Sequence, residues 1–298
     1  MKNCLFFIFL VLSSKVNAQV DINKLSPVDY EQLKKSTTYF ILPDFEADKK
    51  QAYIDMLKDV WFFSKLKVVT TEESQEINLL DLSVSCIIFK AITFENMLDR
   101  YTFDLNIAKS SKGKTGELML SSIASIVFTK KRDVNFLMPP SRANEDSRVF
   151  RKNFMNNFSL GFIKNYMQYL NFALYKNEGK HEIYMKLFNK EECRKLANDT
   201  LYMPDYIPTY SRKDINKVLK KAKFNYKFIS TIELDNKILN SKNDFYYLSF
   251  ITNSSYKTLT IIKSNEGLFI YNCFTIGKYN NGWLTSDDVK GIGKALKK

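Results

Sequence analysis

Two stretches of the chain, MLKDVWFFSKLKVVTTEE from Met56 and VLKKAKFNYKFISTIE from Val218, run through the same succession of side chains. Each reads as an amphipathic helix, an aromatic exit, a lysine, a short apolar strand and an acidic residue opening the next helix. Each is then followed by an apolar strand and an antiparallel pair. A pattern that recurs once at so wide a spacing predicts two related domains and not a solenoid, in which several stacked repeats are needed to bury a continuous core. The expected fold class is therefore α+β or α/β: two related units of mixed sheet with helices on one face, joined by a long amphipathic helix.

The first unit, residues 37–138, opens with the strand TTYFIL (Thr37 to Leu42), closed by Pro43. From Ala47 to Phe63, residues Tyr53, Met56, Leu57, Val60 and Trp61 recur at the spacing of one helical face. Leu66 to Thr70 reads as a short strand, Glu72 to Leu80 as a brief helix, and LSVSCIIF (Leu82 to Phe89) as a strand apolar enough for a sheet centre. Tyr101, Phe103, Leu105 and Ile107 alternate with Thr102, Asp104 and Asn106, which predicts a strand with one buried face. Leu118 to Phe128 adds a partner across the turn GKTG (Gly113 to Gly116), which lacks the length and the following helix of a phosphate loop.

Residues 139–213 read as a linker. It begins with PPSRAN (Pro139 to Asn144) and continues into a long helix, Glu145 to Lys176. Phe150, Phe154, Phe158, Phe162, Tyr166, Leu170 and Leu174 keep an i, i+4 register along that helix. The stripe is expected to pack against the two units, since Arg148, Arg151, Lys152 and Lys164 are too few and scattered for a basic membrane-surface helix. A helix around Glu182 to Leu196 and a connector YMPDYIPTY, marked by two prolines, complete the linker. The second unit, residues 214–298, carries a helix from Asp214 to Lys223 and a strand from Tyr226 to Ser230. A short helix from Glu233 to Asn240 follows, then strands at Phe245 to Thr252, Leu259 to Lys263 and Leu268 to Tyr271, and a final helix capped at Ser286 or Asp287.

Ahead of all this stands MKNCLFFIFLVLSSKVNA, residues 1–18: a charged Lys2, an apolar run from Cys4 to Leu12, and small residues Val16 and Ala18 at a cleavage position. This reads as a secretory signal cut before Gln19, and residues 19–36 form an N-terminal segment of the exported chain. The run is too short to span a membrane. A bacterial lipid anchor would need a cysteine where Gln19 stands, so a soluble protein of the periplasm or the exterior is expected. The formal charge of +13 then points to an envelope protein or an anionic envelope surface as partner, and not to nucleic acid. Cys86, Cys193 and Cys273 remain after the signal; their odd number and wide spacing exclude a dense disulfide framework and a CxxC metal site. Whether any two of them pair is left open.

The KLKVVTTEE segment, the stretch NDTLYMPDYI leading into KFNYKFISTIELDNKI, and NEGLFIY near the end resemble a set of uncharacterised exported proteins of Bacteroidota. Those motifs cover both units but bring no activity with them. The order of elements is also similar to the amino-terminal domain of the Tol-system propeller protein and to curli-secretion assembly proteins, a likeness of fold that does not fix function.

No residue is assigned as catalytic, cofactor-binding or metal-ligating. His181 is the single histidine and sits in the polar turn KNEGKHE with no cysteine or acid at ligand spacing, so zinc and histidine-based nucleophilic chemistries, which would rest on this one position, are not expected. A hydrolase relying on two carboxyl groups is the alternative. Its candidates are Glu72 and Glu73, Glu233, and Asp44 and Glu46 beyond the first strand. The ordinary role of the glutamates is to complement the positive end of a short helix. Trp61 reads as core and Trp283, in YNNGWLTSDD, as the better candidate for a ligand-stacking ring. The expected function is a non-catalytic envelope protein engaged in binding or assembly. The alternatives are the carboxylate-only hydrolase acting on glycans and a peripheral membrane-surface protein.

Overall fold

The computed structural model describes residues 19–23, 25–94, 97–110, 117–131, 152–176, 188–207, 212–220, 222–252, 256–276 and 282–297. They form two mixed sheets with helices, an α+β fold of two units. In the first sheet, β2 (Thr37–Leu42) is central among parallel neighbours, pairing with β3 (Lys65–Thr70) on one side and β4 (Val84–Phe94) on the other. The antiparallel strands β5 (Met97–Ser110) and β6 (Leu118–Thr129) follow, and β1 (Val20–Ile22) pairs onto β6. The order is β1-β6-β5-β4-β2-β3. Helices α1 (Pro27–Lys35) and α2 (Lys50–Lys58) cover one face; Leu33, Tyr53 and Leu57 from them are fully buried against Phe40 and Leu42. The helix expected over Ala47 to Phe63 is thus a 3-10 turn, Asp44–Lys49, followed by α2, and Trp61 and Phe63 pack beyond its end. A one-turn helix α3 (Thr71–Ser74) leads on towards β4.

The second sheet repeats this connectivity. Parallel pairs join β7 (Thr200–Pro204) to β8 (Asn225–Ile229) and to β9 (Tyr246–Thr252), and antiparallel pairs add β10 (Tyr256–Lys263) and β11 (Leu268–Ile276). The order is β11-β10-β9-β7-β8. With α4 (Leu160–Lys176), α5 (Lys190–Leu196), α6 (Arg212–Leu219), α7 (Thr231–Asn240) and α8 (Ser286–Ala295), the two halves share one succession of helices and strands, to which the first adds β1 and the 3-10 turn Asp44–Lys49. The run α1-β2-α2-β3-α3-β4-β5-β6-α4 has the same order and pairing directions as α5-β7-α6-β8-α7-β9-β10-β11-α8. Both strand-to-helix turns after the outer parallel strand carry a capping box, Thr70 with Glu73 and Ser230 with Glu233.

One correction to the linker concerns β7. Thr200–Pro204, expected within the linker 139–213 and from Tyr202 on within its connector, is the strand on which the second sheet is built. Proline is tolerated there because pairing with β9 involves only Leu201 and Tyr202, so no ladder bond is asked of the missing N–H at Pro204.

The stripe on α4 does pack between the units. Phe162, Tyr166, Leu170 and Leu174 are buried, with Tyr166 against Phe128 of the first sheet and Phe162 against Tyr247 of the second. The described helix begins at Leu160, so Phe154 and Phe158 lie ahead of it, and Glu145 to Arg151 fall outside the described residues. The reason for the late start is polar. Asn157 turns its amide into the end of β6, accepting from the Thr129 N–H (2.8 Å) and donating to the Val127 carbonyl (3.3 Å). Asp235 of α7 accepts from Ser159 Oγ (2.5 Å) and the Gly161 N–H (2.6 Å), capping the new helix from the other unit. Further along, buried Asn165 donates to the Ser264 carbonyl (2.6 Å) and accepts from the Tyr247 hydroxyl (2.9 Å), and Asn171 accepts from the N–H groups of Phe62 and Phe63. A second core, on the far face of the second sheet, gathers Leu201, Leu248, Leu259 and Ile261 under α5, α6 and α8. No helix among the described residues is long and apolar enough to cross a membrane.

Candidate functional site

The acidic residues singled out in the sequence do not converge. Asp44 is exposed at the head of its 3-10 turn, while Glu46, 1% exposed, is engaged on every side. Its carboxylate lies 2.9 Å from Lys49 Nζ and 3.0 Å from Lys152 Nζ and accepts from the Tyr53 hydroxyl at 3.1 Å. Burial and that carboxylate together push the Tyr53 phenol well above its ordinary range. Glu73 accepts from Lys50 Nζ (2.6 and 2.7 Å) and from the Thr70 N–H, contacts that hold its carboxyl below the ordinary value. Glu233 is likewise lowered by the Ser230 side chain and backbone. A glycosidase acid must be raised so that it stays protonated until it donates. Glu73 and Glu233 move the opposite way, and they sit on different units. Glu72 is exposed in the first turn of α3.

Among the described residues no group of His, Cys, Asp and Glu is placed to hold a metal ion. His181 and the GKTG turn lie outside the described residues. Cys86, Cys193 and Cys273 are free thiols. Burial pushes those of Cys86 and Cys193 up to about 11, against which nearby Lys90 pulls only weakly at Cys86. Trp61 is core, its indole N–H donating to Ser64 Oγ (3.2 Å). Trp283 is half-buried, and its carbonyl accepts from the buried Lys257, which also pairs with Asp288 at 2.6 Å.

What the structure brings together instead is a surface at the open edge of the second sheet. β8 ends the strand order, and among the described residues its second side has no partner strand. Phe224, Tyr226 and Phe228 form a ladder on one face, with ring centroids 6.4 and 6.0 Å apart. Tyr226 is 38% exposed, Phe228 40% and the following Ile232 76%. The matching positions of the first unit are Leu66 and Val68 on β3, which pack into the core beside α2, with Val68 only 8% exposed. In the second unit α6 packs on α8, and the aromatic face of β8 is left open. The sequence reading placed the strand but not this exposure; its only sequence signal is an aromatic residue at every second position, 224 to 228, interleaved with Asn225 and Lys227.

The backbone of β8 complements the ladder. The Ile229 carbonyl accepts from the Asp205 N–H at the end of β7. In a parallel pair alternate residues direct both main-chain groups to the same side. Ile229, Lys227 and Asn225 therefore face β7, and Tyr226 and Phe228 present N–H and C=O outward. Two successive outward residues thus offer exposed rings together with main-chain groups that have no strand partner among the described residues. Comparison with models of known protein families, with curated proteins and with solved structures found no match to this chain.

Proposed function

We propose that this chain is an exported, non-catalytic binding or assembly protein of the cell envelope, arisen by duplication of one α/β unit and acting through a sheet edge. The observation that carries the reading is the β8 edge, where two half-exposed rings stand at positions whose counterparts in the first unit are covered. Large exposed apolar side chains beside unpaired strand groups are a hazard that proteins normally hide, and they are kept where a partner covers them. The signal-like stretch of residues 1–18 and the net charge of +13 support an envelope setting. The connectivity that the two sheets share, apart from the extra edge strand β1 of the first, and their paired capping boxes support duplication. The apolar stripe of α4, which a membrane-surface protein would turn outward, is spent between the sheets.

The test has two parts in the native host. Fractionation with N-terminal sequencing should find the protein in the envelope or medium beginning at Gln19. Crosslinking and pull-down from the envelope should then yield a partner at reproducible stoichiometry. A cytoplasmic protein retaining residues 1–18 contradicts the export reading, and turnover of a glycan by the purified chain contradicts the non-catalytic one.

A further inference from the structure

We infer that the open edge of β8 receives an extended, acidic segment of a partner protein as an added strand. The inference rests on the binding reading above and specifies its partner. Strand addition needs a row of free main-chain groups for affinity and a side-chain surface for register. Tyr226 and Phe228 supply both, and the ladder they form with Phe224 offers a shallow apolar track to alternate residues of the incoming strand.

Charge selects the occupant. Between Asp214 and Glu233 the chain has no acidic residue and carries Lys217, Lys220, Lys221, Lys223 and Lys227. Of these, Lys217, Lys220, Lys223 and Lys227 are exposed. Two acids lie beside the edge: Asp205 accepts from the Thr231 N–H and hydroxyl (3.0 and 2.6 Å), and Glu233 closes the cap at Ser230, its charge facing that of Lys227. Four exposed lysines against these two acids leave an excess of positive charge around the apolar track, which an acidic strand meets. A second copy of this chain, edge to edge, would bring two lysine-rich edges together, and like charges facing across strands are destabilising.

The experiment uses the chain from Gln19 to Lys298 and two labelled peptides, one alternating Glu and Val, the other alternating Lys and Val, read by fluorescence anisotropy at low and moderate salt. The Glu–Val peptide should bind and the Lys–Val peptide should not. Phe228→Pro removes an outward N–H without touching the bonds to β7, and Tyr226→Ala/Phe228→Ala removes the rings. Each should weaken binding by about tenfold or more, the size expected for a central contact. Lys223→Glu/Lys227→Glu should lose the Glu–Val peptide and gain the Lys–Val one, with circular dichroism reporting that every variant is folded.

Equal binding by all folded variants, or none by the parent, overturns the inference. So does binding to phosphatidylglycerol vesicles that depends on Tyr226 and Phe228 while the peptide does not, which would make the edge a membrane contact. Self-association abolished by Phe228→Pro would make it a homodimer seam and overturn it as well. If crosslinking in the host captures a partner and Phe228→Pro leaves that adduct unchanged, the edge inference fails and the binding reading stands.

Discussion

Replacing Asn165 by alanine tests whether α4 belongs to both units at once. Its side chain is fully buried and makes three contacts: to the Ser264 carbonyl at 2.6 Å, to Gln168 Oε1 at 2.8 Å, and from the Tyr247 hydroxyl at 2.9 Å. Alanine strands the Tyr247 hydroxyl and the Ser264 carbonyl, each at about 1–3 kcal/mol. The small cavity adds ~1 kcal/mol. The expected loss is about 3–7 kcal/mol from a total of ~5–15 kcal/mol. Tyr247→Phe removes one hydroxyl and should cost about 1–2 kcal/mol. The double variant should fall short of the sum by roughly 1 kcal/mol, because the mismatch between hydroxyl and amide disappears when both are gone. Urea unfolding followed by fluorescence is the assay, with Trp61 reporting the first unit and Trp283 the second. In variants that keep one tryptophan, Asn165→Ala should shift both transitions together. A shift of the Trp283 transition alone, with Trp61 unmoved, would refute the shared core.

Three further outcomes are expected. Gly267 has a φ of +60°, and a Cβ there would collide with the Asn165 carbonyl and with Gln168 Cβ, so Gly267→Ala should cost about 2 kcal/mol or more in denaturant unfolding. With a thiol reagent at pH 8, Cys273, half-buried, should react in the native protein, while Cys86 and Cys193 stay silent until it unfolds; three fast thiols would contradict the burial described. Glu192 is pushed up by burial, but the Lys195 ammonium and the Tyr246 hydroxyl outweigh this and hold it below its ordinary 4.5. Its stabilisation is complete above that value and is lost as pH falls through the lowered one, so Glu192→Gln should be less stable at pH 7 and lose less between about pH 5 and 3, measured by thermal unfolding.

The alternation from Tyr101 to Ile107 located β5, and the stripe from Phe162 to Leu174 located α4, because in both an apolar period marks the side turned to the core. The single buried face expected of β5 does not hold: Thr102, Asp104 and Asn106 on its other side are buried too, which their polarity conceals in the sequence. Other features depended on what another element does. The central strand β7 carries a proline that reads as a breaker until its limited pairing with β9 is known. Phe154 and Phe158 keep helical spacing yet lie outside the helix, since Asn157 is drawn to β6 and Asp235 supplies the cap. The three-residue β1 is too short to show any period. The β8 site was half legible: the aromatic alternation identifies a strand, but its openness follows from α6 packing on α8, which no local pattern states.

The most direct measurement is residue-resolved amide hydrogen exchange on the chain from Gln19, alone and with the Glu–Val peptide. In the free protein, the N–H groups of Lys227 and Ile229 should be protected by β7, and those of Tyr226 and Phe228 should exchange fast. The peptide should slow Tyr226 and Phe228 by about tenfold or more and leave the β3 amides unchanged. Protection of Tyr226 and Phe228 in the free protein, or a peptide that binds without slowing them, would contradict the account of β8 as an open, partner-receiving edge.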